Sequence, residues 1–435
     1  MSKMEVNLLG FEPWAPREQI APICSGSPST TLRVASNGSA GCYGGWELRY
    51  PADREGEYLQ FQVKVRWKNL KYGIGSVTAE SNWQGVNDWD PIYTGVSDGE
   101  WVTLSQVVKC PVDAECLRVK LMLRWSDTGM VEWKEPLLLP TEAPKPRRIR
   151  LGAASLPQDQ IPQSVEDNLQ QVLTVCRQAA AQHIQLLCLP ENALSSRIPR
   201  KDGDDAYSHA VTVPGPELAA IGALARSTGM AVCMSVKERN EELLHNTAVL
   251  IDKDGGIALK YRKVHLAPPA EAWRGITPGD SFPIGRIQTA QARVGMNICM
   301  DSSVEESARC VARNGAEIIL MPIAGDYRAT LYWEPVSHVF DLRRWEIIHQ
   351  VRAMDNQVYM VVSRNYGVGT GIFAPDGVTL AMDRGADRIV YADVDLSDLK
   401  RVAATFKDKT WYTRREQTYG VLAGQAALTV REDWE

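Results

Sequence analysis

No run in this 435-residue sequence approaches the ~20 consecutive apolar residues that a membrane-spanning helix requires, so nothing in it predicts insertion into a bilayer. The opening stretch, Met1 to Trp14, has neither a basic start nor an apolar core and predicts no signal peptide. Cysteine is present but unpatterned. Nine residues, an odd number at irregular spacing and without a Cys-x-x-Cys pair, argue against both a disulfide framework and a zinc site. That usage suits a reducing cytoplasm, and Cys176, Cys188, Cys233 and Cys310 fall in apolar patterns that predict core positions. Excess positive charge is missing too: a net charge of -5 gives no electrostatic ground for binding nucleic acid or a polyanionic surface. Low-complexity tracts and short-period repeats are absent. What remains is a chain long enough for two or three domains and a large core.

Its first ~140 residues, a stretch of ordinary domain size, differ from the rest. Phe61, Val63, Val65 and Trp67 alternate with Gln60, Gln62, Lys64 and Arg66, and Leu117, Val119, Leu121 and Leu123 alternate with Arg118, Lys120 and Arg124. A period of two marks half-buried strands, and with Gly-, Asn- and Asp-rich turns and no convincing helix it predicts an antiparallel, jelly-roll-like β-sandwich over 1–140. Leu121 to Trp125 and Gly129 to Trp133 are loosely similar to the closing strands of carbohydrate-binding-module-like sandwiches. Eight of the thirteen tryptophans precede residue 140, which makes a glycan partner conceivable through Trp83 and Trp89 in the Ser81 to Pro91 loop. Sandwich cores and loop anchors use Trp as well, and docking or oligomerisation accounts for such a domain equally. Pro140 to Arg148 reads as a semi-rigid linker. Beyond it strands and helices alternate: Arg150 to Ala154, a helix from Ser164 to Gln182, Ile184 to Leu189, a helix from Glu217 to Thr228, Ala231 to Val236, Thr247 to Asp252, and a helix from Trp345 to Asp355. Such alternation predicts an α/β layered domain.

Three strand ends in that second part carry chemistry. Ile184 to Leu189 stops at Pro190 and presents Glu191. Ile257 to Leu266 places Lys263 near a strand end, with Glu271 eight residues on. Ala292 to Ile298 ends in Cys299-Met300-Asp301, followed by an expected amphipathic helix from Ser302 to Ala316, whose Ser302-x-x-Glu305 and Ser303-x-x-Glu306 fit capping boxes. A thiol at such a junction would feel the helix's positive end, and its pKa would fall. Taken singly each residue has an ordinary explanation, a core cysteine or a solvated charge. Together they supply a base, a cation and a nucleophile.

Leu189-Pro190-Glu191-Asn192, Tyr261 to Leu266 and Gly295 to Asp301 together resemble the carbon–nitrogen hydrolases, the nitrilase superfamily, over roughly residues 147 to 400. Smaller marks agree: Asn246-Thr247-Ala248, Asp254-Gly255, Glu306 seven places after the cysteine, Arg352 to Asn356 before a strand, and the turn Pro375-Asp376-Gly377. The resemblance implies a four-layer αββα sandwich over 149–400, with 141–148 as linker and 401–435 as a C-terminal extension. It implies Cys299 as nucleophile, Glu191 as general base, Lys263 with the Met300 N–H as oxyanion stabiliser, and Glu271 orienting the lysine, with no metal or organic cofactor. His265 invites a Cys–His reading, but no protease signature surrounds Cys299. Met300-Asp301 after the nucleophile favours a small-molecule amide or N-carbamoyl substrate over a nitrile. A non-catalytic glycan- or partner-binding protein on this fold is the alternative of another class.

Met300, Trp273, Ala324 and Tyr327 are the expected substrate-binding positions. Tyr327 and Arg328 are candidates to meet an acidic substrate, although a surface loop uses both without that role. The resemblance also implies a homo-oligomer. Thr405 to Glu435, with Trp411 and Tyr412, is a candidate to reach across its interface or to cap its own subunit.

Overall fold

The structure is a computed structural model that describes residues 5–86, 88–92, 95–331, 339–365, 368–385, 388–397, 399 and 413–423. The chain divides into two compact units, Met1–Lys145 with Phe406–Glu435, and Pro146–Thr405.

In the first unit the period-two pattern becomes two antiparallel sheets. One runs Gly10–Trp14, Tyr43–Pro51, Cys116–Arg124, Val77–Gln84, Asp88–Pro91, and the other Ile23–Gly26, Leu32–Ala35, Met130–Thr141, Tyr58–Lys68, Val102–Lys109, Gly95–Ser97. Leu59, Phe61, Val63 and Val65 from one sheet and Leu117, Val119, Leu121 and Leu123 from the other meet in one core, so this unit is a β-sandwich. Trp83 belongs to that core at 3% exposure and Trp89 sits half-buried on the edge strand, so the two are not an exposed aromatic platform. Alternation explains it: Trp83 is in phase with the buried Ala79 and Ser81. The described residues 413–423 group with this unit. Trp411 and Tyr412 lie outside the described residues, and Arg415 stacks 5.2 Å over Trp125 of the sandwich. The expected linker is shorter than read, because Pro140 and Thr141 end a strand and Arg148 opens one.

The second unit builds from two six-stranded sheets. The first runs Ile257–Arg262, Leu243–Ile251, Ala231–Asn240, Leu186–Cys188, Arg148–Ala154, Ile389–Asp395, and the second Ile284–Arg286, Arg293–Met296, Ile318–Ile323, Tyr359–Arg364, Gly371–Phe373, Thr379–Met382. Leu151, Leu186, Ala231, Ala248 and Leu250 of the first pack against Val294, Ile318, Leu320 and Val361 of the second. Helices α1 (Val165–Ala181) and α2 (Pro216–Thr228) cover the outer face of the first sheet through Leu169, Val172, Leu218 and Ile221. Helices α3 (Glu305–Arg313) and α4 (Leu342–Asn356) pack on the second. This is the αββα sandwich, with α1 opening on Ser164, whose side chain accepts the Asp167 N–H. Asn246 to Ala248 lie inside a strand that begins at Leu243, because the Glu241 turn hairpins it onto its neighbour. Cys176, Cys188 and Cys233 are fully buried, while Cys310 is half-buried on α3.

The expected helix from Ser302 is two elements. A 3-10 turn spans Cys299–Ser303, and α3 begins only at Glu305 with no side-chain cap. Neither serine caps α3, whose N-cap is Val304, and the Ser302 hydroxyl is taken by Asp326.

Gly295, on the strand leading to Cys299, has no room for a side chain: a Cβ there would lie 2.1 Å from Cγ1 of Val311 on α3. Gly295→Ala is expected to cost about 1–3 kcal/mol by overpacking, read as a lowered midpoint of denaturant unfolding; an unchanged midpoint would contradict this packing.

Candidate active site

Strand ends from both sheets converge where the charged residues sit. Glu191 follows Leu186–Cys188 across Leu189-Pro190, and Asn365 at the end of Tyr359–Arg364 grips its backbone. Oδ1 of Asn365 accepts the Glu191 N–H at 3.0 Å, and its Nδ2 donates to the Glu191 carbonyl at 2.8 Å. The Glu191 carboxylate receives Asn246 Nδ2 at 2.8 Å and Lys263 Nζ at 3.0 Å on Oε1, and the Ala324 N–H at 3.0 Å on Oε2.

Lys263 comes directly after the strand Ile257–Arg262 and is 1% exposed. Its ammonium donates to Glu191 and, at 2.7 Å, to Oε2 of Glu271, which also accepts the Ala267 N–H at 2.8 Å. Asn246 closes the ring, donating its second N–H to Oε1 of Glu271 at 2.7 Å. Burial works against the ammonium, but Glu191, Cys299 and Glu271 more than offset it and hold the Lys263 pKa above its ordinary value.

Cys299 opens its 3-10 turn with φ at +43°, a left-handed conformation that costs a non-glycine residue about 1–3 kcal/mol. Its thiol donates to the Gly325 carbonyl at 3.5 Å, and the Glu191 charge acts on it. Burial first, and then the Glu191 charge, push the Cys299 pKa well above the usual thiol range, and Lys263 recovers only part of that. The expected lowering by a helix terminus is therefore corrected. The α-helix starts six residues past the cysteine, beyond the reach of its end effect, and burial with the Glu191 charge outweighs the Lys263 ammonium. A protonated thiol beside a carboxylate can pass its proton to that base as the sulfur attacks an electrophilic carbon.

Asp301, two residues on, is 1% exposed. It accepts from Tyr261 Oη at 2.6 Å and the Ile298 N–H at 2.8 Å on Oδ2, and from the His265 N–H at 3.1 Å on Oδ1. His265 Nδ1 also lies 2.8 Å from Oδ1 and 3.0 Å from Ser307 Oγ, so the imidazole is engaged away from the thiol.

Glu191, Lys263, Glu271 and Cys299 are thus brought together, with Met300 beside them in the turn that Cys299 opens. The other expected positions behave differently. The Ala324 N–H holds Glu191. Trp273 is 79% exposed and neither caps the site nor packs behind Glu271. Arg328 is bonded to Asp326 at 2.6 Å and to the Ser302 carbonyl. The Tyr327 side chain lies outside the described residues. A cavity of about 470 Å³ adjoins Glu271, lined also by Asn192 and Asn246 together with Arg200, Lys237 and Arg274.

Sequence reasoning missed what Asn246, Asn365, Tyr261 and Asp301 do. A polar Asn246 inside an otherwise apolar strand was the available signal for the first; nothing local marks Asn365.

Two facing sheets with a carboxylate, an ammonium and a thiol at their ends define the class. The carbon-nitrogen hydrolase family model matches residues 150–404, and the chain belongs to that family, whose enzymes act on non-peptide C–N bonds. It is similar to omega-amidase NIT2 of Bos taurus, 29% identical over 266 residues, which cover 57% of this chain and 90% of that protein. The Homo sapiens omega-amidase NIT2 is 28% identical with the same coverage. Among solved structures, a carbon-nitrogen hydrolase from Helicobacter pylori G27 matches with a TM-score of 0.53 at 25% identity, over 63% of this chain and 98% of that one. Saccharomyces cerevisiae Nit3, a member of branch 10 of the nitrilase superfamily, shares the fold at TM-score 0.50 and 22% identity, over 60% of this chain and 94% of that one.

The Glu191 charge raises the thiol and the Lys263 charge lowers it. Glu191→Gln should therefore move the Cys299 thiolate absorbance titration to lower pH, measured against a Cys299→Ser background; a shift to higher pH would contradict the electrostatics.

Proposed function

We propose that the chain is a thiol amidohydrolase that cleaves a primary amide or N-carbamoyl group through an acyl-enzyme on Cys299 and releases ammonia. The observation that carries this reading is the Glu191 carboxylate, bonded to the buried Lys263 and to the Ala324 N–H, next to the Gly325 carbonyl that accepts the Cys299 thiol. As Sγ attacks the carbonyl carbon, Glu191 takes the thiol proton. Negative charge develops on the carbonyl oxygen, and the fixed Lys263 ammonium and the Met300 N–H stabilise it without reorganising. Collapse breaks the C–N bond, and Glu191 returns the proton to the departing ammonia of a primary amide, or to the departing amine of an N-carbamoyl substrate, whose carbamic acid product then loses ammonia. Water then adds to the thioester, again giving its proton to Glu191, and the acid leaves as the thiol is restored.

Glu271 is a positioning residue in this scheme, shared between Lys263 and Asn246. The Met300-Asp301 pair after the nucleophile and the names of the omega-amidase relatives support an amide over a nitrile. For the sandwich unit we propose a part in assembly rather than catalysis, in keeping with the burial of Trp83.

The test is ammonia release from a panel of primary amides, N-carbamoyl amino acids, ω-amido acids and nitriles. One amide or carbamoyl class should react, Cys299→Ala should abolish release, and Glu191→Gln should lower kcat by at least about 10²- to 10⁴-fold with the fold intact by circular dichroism. Release from nitriles alone, or near-normal turnover in Glu191→Gln, would defeat the proposal.

A further inference from the structure

Cys299 is held in a strained turn, and Lys263 is held at the end of a strand in the opposite sheet. Their separation governs both how far the ammonium lowers the thiol and how well it meets an oxyanion. One buried side chain bonds to both segments. Asp301 binds the Ile298 N–H, immediately before Cys299, while its own N–H donates to the Ile298 carbonyl at 3.0 Å, so residues 298 and 301 are clasped around the left-handed cysteine. The same carboxylate binds Tyr261 Oη and the His265 N–H, the residues two before and two after Lys263. Tyr261 Oη in turn lies 3.3 Å from the Val264 N–H, the next residue after the lysine.

We propose that Asp301 is the positioning residue that sets the distance between Cys299 and Lys263, acting through these bonds and never touching substrate. The inference rests on the amidohydrolase reading for its kinetic consequence, but its geometric consequence stands apart from turnover.

A buried carboxylate is costly unless its lone pairs are filled. Here Tyr261, Ile298 and His265 fill them, and these donors come from two sheets. An ionised carboxylate accepts only, whereas a carboxamide offers N–H groups on one side. Asp301→Asn, nearly identical in size, would therefore set an NH2 against at least one of these donors, and the clasp or the link to Lys263 would open. His265 is held from a second side by Ser307 on α3, so the lysine segment does not follow the displaced turn.

The experiment measures the Cys299 thiolate titration and the steady-state kinetics of Asp301→Asn, Tyr261→Phe and Ser302→Ala. In Asp301→Asn the titration should move to higher pH, because Lys263's lowering pull weakens, and kcat should fall about 10²-fold with KM little changed, as expected for misplacement of reacting groups by about 1 Å. Tyr261→Phe removes one of the bonds and should move both readouts less, in the same direction. Ser302→Ala, in the same turn but bonded to Asp326, should lower thermal stability while leaving the titration in place. A folded Asp301→Asn with wild-type titration and kcat overturns the proposal; should that variant not fold, an unaltered titration in Tyr261→Phe overturns it. A wild-type enzyme that releases no ammonia sinks the amidohydrolase reading alone, since the thiol titration needs no substrate.

Discussion

An ammonium almost entirely removed from water organises the hydrolase unit. Lys263 at 1% exposure would be strongly disfavoured as a cation unless paired, and Glu191 at 3.0 Å with Glu271 at 2.7 Å pair it twice. Two carboxylates near one ammonium then need a neutral donor between them, and Asn246 supplies both its N–H groups to them. Burial first, and then the Glu191 charge, raise the Cys299 pKa and favour the protonated thiol, so the proposed reaction draws on a base beside it rather than on a standing thiolate.

Each charged group in this cluster is held from a different part of the fold. Glu191 is gripped by Asn365 at a strand end of the opposite sheet. Lys263 and Cys299 likewise extend from different sheets, and the Asp301 carboxylate is hydrogen-bonded to both of their segments. The shared core of Leu186, Ala248, Val294 and Leu320 keeps the two sheets in register, which lets side chains at their ends meet at hydrogen-bonding distances. Strain at Cys299 is tolerated because the turn around it is closed by bonds to residues 298 and 301.

Much of this was legible locally. The alternation of Phe61, Val63 and Val65 predicted inward-facing strand positions because a strand's side chains change face at every residue. Pro190 marked the strand end that presents Glu191, and Ser164 marked the start of α1 because its hydroxyl can cap a free backbone N–H. The errors have physical causes. Two Ser-x-x-Glu patterns after Cys299 looked like caps, but Asp326 captured the Ser302 hydroxyl and the chain took a tighter 3-10 turn first. Tryptophan abundance left an exposed platform open beside a core role, and strand phase decides for the core at Trp83.

The sequence by itself determined the order of strands and helices, the α/β character of residues beyond the linker, and the choice of Glu191, Lys263 and Cys299 as candidate base, cation and nucleophile, since each rests on periodicity, a breaker or a motif within a few neighbours. Only the tertiary structure decided the direction of the thiol's pKa, the bridging place of Asn246, the grip of Asn365 from 174 residues away, and the tie of Asp301 to both Tyr261 and Ile298. Those depend on which charges and donors are brought together when two sheets close on one core, and no local pattern encodes that encounter.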